Sequence, residues 1–383
     1  MDRFLLFTAR GLRSFGFGFS AVLIGLLLEH RGLSPFLIGL ALGIGLAAAS
    51  LSGLASAWAA ARWGRRPVLA AAGILMALTG LDIALASQPL LLVLAGLTGM
   101  LGAASVDLGP FASVEQAVLA ETAPAARRNI AFGRYSLTGG LLNAAGGLSA
   151  TLATTPAAAT CFFLLYAAIG AATAGLPLLM SRGVEHEAGA PAFGRLGPLA
   201  GLAALFALDS LGGGFVVNAV IAYWLHARFG VGASLLGPVF AAVAVLQSLS
   251  YEVSARLANR IGLINTMVFT HIPSSLLLVT VAFAPTFPIA AALFLLREGL
   301  VEMDVPTRQS YVMAVVAPEE RTFASGVTHL VRMGAWAVAP SFAGLLMQGV
   351  SMAVPLVIGA TLKIGYDIAL YAAFRRVRPP EEA

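Results

Sequence analysis

Long apolar segments separated by short polar breaks run along almost the whole chain. Glycine, proline or clustered arginine marks most of the breaks, as is usual where one helix ends and another begins. Because about 20 apolar residues in a helix cross the hydrocarbon core of a bilayer, each segment is long enough for one transmembrane span. The pattern predicts twelve spans, at about residues 4–28, 34–60, 67–87, 90–116, 129–153, 157–180, 197–225, 233–257, 264–284, 287–315, 323–349 and 353–374.

The longest polar stretch divides these spans into two sets of six. It covers residues 181–197 and reads SRGVEHEAGAPAFGRLG. We therefore predict an N-terminal six-helix bundle at 1–180, a cytoplasmic linker at 181–197 and a C-terminal six-helix bundle at 198–383.

The two sets also resemble each other in sequence. The segment AWAAARWG from Ala57 to Gly64 matches ARLANRIG from Ala255 to Gly262 at an offset of 198. An Ala-Pro pair followed by arginine recurs at 123–127 and 317–321, at an offset of 194. Both pairs fall at the same place in each half, so the sequence predicts a parallel duplication of six helices.

Composition agrees with a membrane protein. Hydrophobic residues make up 59% of the chain and charged residues 11%, with a mean hydropathy of +0.89. A soluble domain would need a larger polar share to cover its surface. The lipid bilayer is therefore the expected surrounding of most of the chain.

The Lys and Arg residues are distributed unevenly between the two sides of the predicted membrane. Of the 23 Lys and Arg residues, fourteen fall in the breaks or at the helix ends on one side of the predicted membrane, and only Arg31 and Arg228 fall on the other. By the positive-inside rule the first side is cytoplasmic, and both termini lie there.

We expect a monomer with multiple spans in a bacterial cytoplasmic (inner) membrane. The basic residues form no stripe interleaved with aromatics, which argues against nucleic acid as a partner.

Motifs for catalysis or cofactor binding are absent from the sequence. It contains no phosphate-binding loop, no zinc-ligand spacing and no nucleophile elbow. We therefore expect no enzyme activity, no cofactor and no metal. If the chain moves a solute, the energy would come from an ion gradient or from the gradient of the solute itself rather than from ATP.

The turn after the second predicted helix reads AWAAARWGRR from Ala57 to Arg66. It is similar to a known transporter signature that reads roughly G-x-L-A-D-R-x-G-R-R. Ala57 and Ala61 replace its first glycine and its aspartate, and Asn259 occupies the acidic position of the second half. The matching residues are Arg62, Gly64, Arg65 and Arg66 in the first half, and Leu257, Ala258, Arg260 and Gly262 in the second. With the duplication, this pattern resembles the major facilitator superfamily over essentially all 383 residues.

That resemblance implies an all-α membrane protein with twelve transmembrane helices in two pseudo-symmetric six-helix bundles. It further implies a secondary transporter that exposes a midplane site alternately to the two sides. The signature turns, with Arg62, Gly64, Arg65, Arg66, Arg260 and Gly262, would then act in gating. The glycine-rich run at 99–104 resembles that of drug-proton antiporters, with Gly96 where their arginine stands.

Charged residues at membrane depth are the candidates for substrate binding or coupling, because a charge is costly there unless it faces a cavity or a partner. In the first half these are Arg13, Asp107, Glu115 and Arg134. Asp107 is the expected partner of Arg13 and Arg10, with Glu115 nearer the cytoplasmic end.

In the second half, the tenth predicted helix holds five charges within twelve residues. The candidates of this half are Asp209, Arg297, Glu298, Glu302, Asp304, Arg308 and Arg332. His271 and the pair formed by Lys363 and Asp367 at i and i+4 are expected to be structural, because their helices are normally peripheral.

The charges leave three hypotheses open. The first is proton-coupled export of a small organic solute, with Asp107, Asp209, Glu298 or Glu302 as proton site. The second is a carrier of organic anions or phosphorylated metabolites that uses the forked guanidinium groups of intramembrane arginines. The third is a membrane sensor or scaffold that transports nothing, which would be favoured if all charges were paired and no connected cavity existed.

Overall fold

The computed structural model describes residues 1–103, 109–122, 128–185, 200–304, 308 and 321–374. Within these ranges the regular structure is helical. The α-helices are α1 (Asp2–His30), α2 (Pro35–Trp63), α3 (Arg65–Leu85), α4 (Pro89–Leu94), α5 (Pro110–Thr122), α6 (Arg128–Ser149), α7 (Pro156–Gly175), α8 (Ala200–Gly214), α9 (Asn218–Phe229), α10 (Ala233–Ile261), α11 (Leu263–Ala282), α12 (Phe287–Val301), α13 (Arg321–Gly349) and α14 (Val354–Phe374).

Nine stretches of the described chain are long and apolar enough to cross a membrane, counting α8 and α9 together as one of them. Their outer faces carry large apolar side chains. In α3, Ile74, Leu78 and Leu81 are exposed, while Leu69 and Met76 are buried on the opposite side. An apolar outer surface of this kind is stable only in lipid.

The internal repeat is visible in the backbone. Helices α2 and α10 are both 29 residues long and begin 198 positions apart. Each ends at a glycine with positive φ, +94° at Gly64 and +85° at Gly262, and the next helix begins immediately. Since such a φ is strained for any residue with a Cβ, the two signature turns depend on glycine for their shape.

Two predicted spans are broken rather than continuous. After α4 the chain passes through a short 3₁₀ segment and then through Gly99 and Gly102, both in the left-handed region, before α5 begins at Pro110. The seventh span is interrupted between α8 and α9, just after Gly214. A Cβ at Gly214 would lie 2.3 Å from the backbone oxygen of Trp336, so glycine allows the two backbones to touch there.

The described packing forms two compact units. Unit 1 comprises Met1–Gly189 and Val217–Ala244, and unit 2 comprises Ala190–Val216 and Val245–Ala383. Within unit 1, α9 packs against α1 although it follows the linker in sequence. The division of the chain at residues 181–197 stays a prediction.

Glycine-mediated contacts hold α3 against α7 in unit 1. A Cβ at Gly73 would lie 2.4 Å from the backbone nitrogen of Ala174, and one at Gly170 would lie 2.3 Å from that of Ala77. These helices therefore approach each other backbone to backbone, without a charged pair at the contact.

Candidate transport site

A buried ion pair joins three helices of unit 1. The guanidinium of Arg13 in α1 donates to both carboxylate oxygens of Glu115 in α5, at 2.8 and 2.6 Å. Tyr135 of α6 donates its hydroxyl to the same carboxylate at 2.7 Å. The ring of Phe111 lies under the guanidinium, 3.9 Å from its central carbon. All four side chains are almost completely buried.

The pairing expected between Arg13 and Asp107 stays a prediction, because Asp107 lies outside the described residues. Within the described residues, Arg13 is paired with Glu115. The position expected for Glu115, nearer the cytoplasmic end, also stays a prediction. Depth was counted as the helical rise per residue, which does not apply to the non-helical backbone around Gly99 and Gly102.

Arg134, one turn before Thr138 on α6, is exposed. It lines a cavity of about 820 Å³ together with Arg3, Phe4 and Phe7 of α1. Two arginines beside two phenylalanines form a surface that suits an anion with an apolar body.

A second buried network lies in unit 2 and is centred on Asp209 of α8. One oxygen of its carboxylate accepts from Lys363 of α14 at 2.8 Å, and the other accepts from Arg308 at 2.9 Å. Arg308 also donates to Asp304, four residues earlier in the chain, at 2.6 Å. One carboxylate therefore holds two cations that come from different parts of the chain.

The network continues from Lys363 to His271 of α11 and Asp367 of α14. The Lys363 ammonium lies 3.1 Å from Nε2 of His271, and Nδ1 of His271 lies 3.0 Å from both oxygens of Asp367. The direct i, i+4 pair expected between Lys363 and Asp367 is wrong, since each binds a residue of another helix. Tyr366 packs its ring edge against His271.

The remaining charges of the tenth predicted span lie beside this network. Arg297 donates to the neighbouring Glu298, whose second oxygen accepts from Gln247 of α10 at 2.7 Å. Glu302 is half-buried at the end of α12. In α13, Arg332 donates to the hydroxyl of Ser210 at 3.2 Å.

Residues 6–208 match the family model of the Major Facilitator Superfamily, which is more than half of the chain. This protein belongs to the Major Facilitator Superfamily. An uncharacterized membrane protein of Saccharomyces cerevisiae is 25% identical over 417 residues, covering 97% of this chain and 93% of the relative. Membership confirms the family resemblance read from the signature turns and places this protein among membrane transporters.

Solved transporters share the fold over nearly the whole chain. A mutant of the nucleoside transporter NupG matches with a TM-score of 0.78 at 14% identity, covering 98% of this chain and 100% of that one. The inward-open xylose transporter XylE from E. coli matches with a TM-score of 0.76 at 13% identity, covering 99% and 98% of the two chains. These matches confirm the all-α, twelve-helix membrane fold of the superfamily.

The superfamily's signature turn is held in unit 1 by a residue that sequence reasoning did not select. The carboxylate of Glu185 accepts from the backbone N–H groups of Arg65 and Arg66, the latter at 3.1 Å. Arg65 also donates to the backbone oxygen of Val184 at 3.0 Å. Glu185 thus supplies a negative charge at the start of α3, where the signature aspartate is missing at position 61. Arg62 and Arg260, the other signature arginines, are exposed.

Replacing Glu185 with alanine is expected to lower the free energy of unfolding by about 1–2 kcal/mol, because two N–H groups in the first turn of α3 lose their acceptor. Thermal unfolding of the purified protein in detergent, followed by circular dichroism, would measure the change. Arg182→Ala is the control, since Arg182 is exposed on the same short segment. Equal stability of the two variants would contradict the capping role.

Proposed function

We propose that this protein is a secondary active transporter that exports a small organic solute in exchange for protons by alternating access. The observation that carries the proposal is the pair of buried charge networks, centred on Glu115 in unit 1 and on Asp209 in unit 2. Both place carboxylates in contact with cations at membrane depth.

Buried ion pairs are an inefficient way to hold helices together. The desolvation of two charges offsets most of their mutual attraction, and apolar residues of similar volume are often as stabilising. A carboxylate held by a cation can instead exchange that cation for a proton, which leaves the cation available to a substrate. Proton coupling needs such an exchange, and both networks supply the groups for it.

A second candidate function is the carriage of organic anions or phosphorylated metabolites. The cavity beside Arg3 and Arg134 favours it, because two exposed guanidinium groups lie next to apolar rings. Guanidinium forks bind carboxylate and phosphate in a bidentate geometry. The same open cavity with unburied arginines argues against a sensor or scaffold that transports nothing.

The test is a proteoliposome assay that reports internal pH with a trapped dye. Four probes represent the solute classes: tetraphenylphosphonium, benzoate, glucose 6-phosphate and uridine. Proton-coupled export predicts that one probe moves protons in the direction opposite to its own, and that a protonophore abolishes its accumulation. Solute movement without proton movement would contradict coupling, and no movement of any probe would favour the sensor.

Arg134 separates the two transport hypotheses. If the protein carries anions, Arg134→Gln should weaken uptake of benzoate or glucose 6-phosphate at least tenfold, and Arg134→Lys should restore it only in part, because lysine keeps the charge and loses the fork. Arg228→Gln is the matched control, since Arg228 is an exposed arginine on α9, away from this cavity. Unchanged anion uptake in Arg134→Gln would rule out this cavity as the anion site.

A further inference from the structure

His271 is held between an acceptor and a donor. The carboxylate of Asp367 can only accept, so the proton of the imidazole lies on Nδ1. The ammonium of Lys363 can only donate, so Nε2 carries the lone pair. These contacts suit a His271 ring with its proton on Nδ1, and a second proton would have to bind Nε2 in place of the bond from Lys363.

A second proton on Nε2 would change the bonds around it. Nε2 could no longer accept from Lys363, and two cationic donors would face each other across the present 3.1 Å contact. The nearest acceptor for the new N–H is Asp209, whose Oδ1 lies 3.6 Å from Nε2. Asp209 would then be shared by His271, Lys363 and Arg308, and three donors would compete for its two oxygens.

Arg308 has an alternative partner in this competition. It already donates to Asp304 at 2.6 Å, which is shorter than its 2.9 Å bond to Asp209. Weakening the Asp209 bond would leave Arg308 anchored by Asp304, with part of its guanidinium available for another acceptor. Protonation of His271 is thus linked to the availability of an arginine two contacts away.

The equivalent helix pair of unit 1 shows that charges are not required for packing at this place. Gly73 of α3 and Ile169 of α7 stand 198 positions before His271 and Asp367, the same offset as the signature turns. There the helices approach through glycine, with a Cβ at Gly73 placed 2.4 Å from a backbone nitrogen. At these two positions unit 1 has neither an imidazole nor a carboxylate, so the His271–Asp367 pair of unit 2 needs another explanation.

We infer that the dyad of His271 and Asp367 is the proton-loading site of this transporter, and that loading releases Arg308 from Asp209 toward the transported solute. The inference rests on the proposed proton coupling and assigns it to α11 and α14. The proton comes from water, binds the Nε2 lone pair and leaves by the same nitrogen, so no other bond forms or breaks covalently.

The groups that face the dyad come from each helix packed around it. Asp209 lies on α8, and α14 contributes Lys363 and the fully buried Tyr366 in addition to Asp367. On α12, which also packs against α11, Arg297 and Glu298 bind each other. His271 is therefore the imidazole inside a set of charged groups that come from α8, α12 and α14.

The first experiment needs no transported solute. The protein contains five histidines, and nitrogen NMR of histidine-labelled protein with a His271→Gln difference spectrum assigns the signal of His271. We expect the Nδ1–H tautomer in alkaline buffer and a doubly protonated ring on acidification. A proton on Nε2 at the higher pH, or a neutral ring throughout, would overturn the inference.

The second experiment tests coupling with the probe that moves protons in the wild type. His271→Gln keeps a donor toward Asp367 and an acceptor for Lys363 but cannot bind a proton. It should retain exchange of labelled for unlabelled probe and lose accumulation driven by a pH gradient. The control is His226→Gln, because His226 contacts Glu29 at 2.9 Å outside this network.

The outcomes separate this inference from the function on which it rests. Accumulation in His271→Gln equal to that of the wild type would overturn the dyad and leave proton coupling standing. A wild type that moves no protons with any of the four probes would overturn the coupling, while the NMR result would still decide whether His271 takes up a proton. Loss of accumulation in His226→Gln as well would also count against the dyad as the specific site.

Discussion

The free energy of unfolding is expected to fall by about 3–5 kcal/mol when Asp209 is replaced by asparagine, because the change leaves a buried ammonium without its carboxylate. Lys363 and Arg308 both donate to Asp209, and all three side chains are buried. The variant should therefore unfold at a markedly lower temperature in detergent and show no transport. Thermal unfolding and the proteoliposome assay would measure the two effects.

A second substitution checks the cause. Adding Lys363→Met to Asp209→Asn removes the uncompensated ammonium and leaves Arg308 with Asp304, so most of the lost stability should return. Asp82→Asn is the matched control, because the half-buried Asp82 of α3 has no ion-pair partner among the described residues. If the double variant were no more stable than Asp209→Asn, charge imbalance would not be the reason for the loss.

Glu115→Leu should also lower the free energy of unfolding by about 3–5 kcal/mol, since Arg13 would stay buried over Phe111 without its bidentate partner. Thermal unfolding in detergent would report the loss. Tyr135→Phe is the milder comparison, because it removes one hydrogen bond to the same carboxylate and should cost about 1 kcal/mol.

The double variant Arg13→Leu with Glu115→Leu separates stability from transport. Replacing a buried ion pair by apolar side chains of similar volume is often neutral or stabilising, so this protein should fold about as well as the wild type. We expect it to be inactive in every proteoliposome assay in which the wild type is active. Full transport by a stable double variant would mean that the pair only packs α1 against α5, and the assignment of both residues to the site would be wrong.

The distribution of apolar residues by itself determined that most of this chain lies in lipid. It also determined the positions of most helices. Backbone N–H and C=O groups have no partner in lipid other than one another, so a long apolar segment has a single stable conformation there. The match between 57–64 and 255–262 predicted two turns of the same geometry. The structure confirms it with positive φ at Gly64 and Gly262.

The partner of each buried charge was harder to predict from the sequence than its location in a span. A charge at membrane depth is recognisable from its apolar neighbours, and Arg13, Glu115, Asp209 and Arg308 were selected on that ground. Its partner depends on which helix faces it and at what height. In the first half the chain leaves the helical path at the left-handed glycines 99 and 102, so counting along a continuous helix did not predict the bond between Arg13 and Glu115 that the structure shows.

Sequence also failed to give the partners of three residues in the second half, His271, Lys363 and Asp367. Sequence marked them as intramembrane charges but treated their helices as peripheral, and the i, i+4 spacing suggested that Lys363 and Asp367 satisfy each other. Spacing along one helix determines which side chains are close enough to contact each other. Tertiary packing determines which of the possible contacts has the lowest energy. With α8 and α11 packed against α14, Lys363 binds Asp209 and Asp367 binds His271. Only the folded chain joins these residues, with Arg308 and Asp304, into one network.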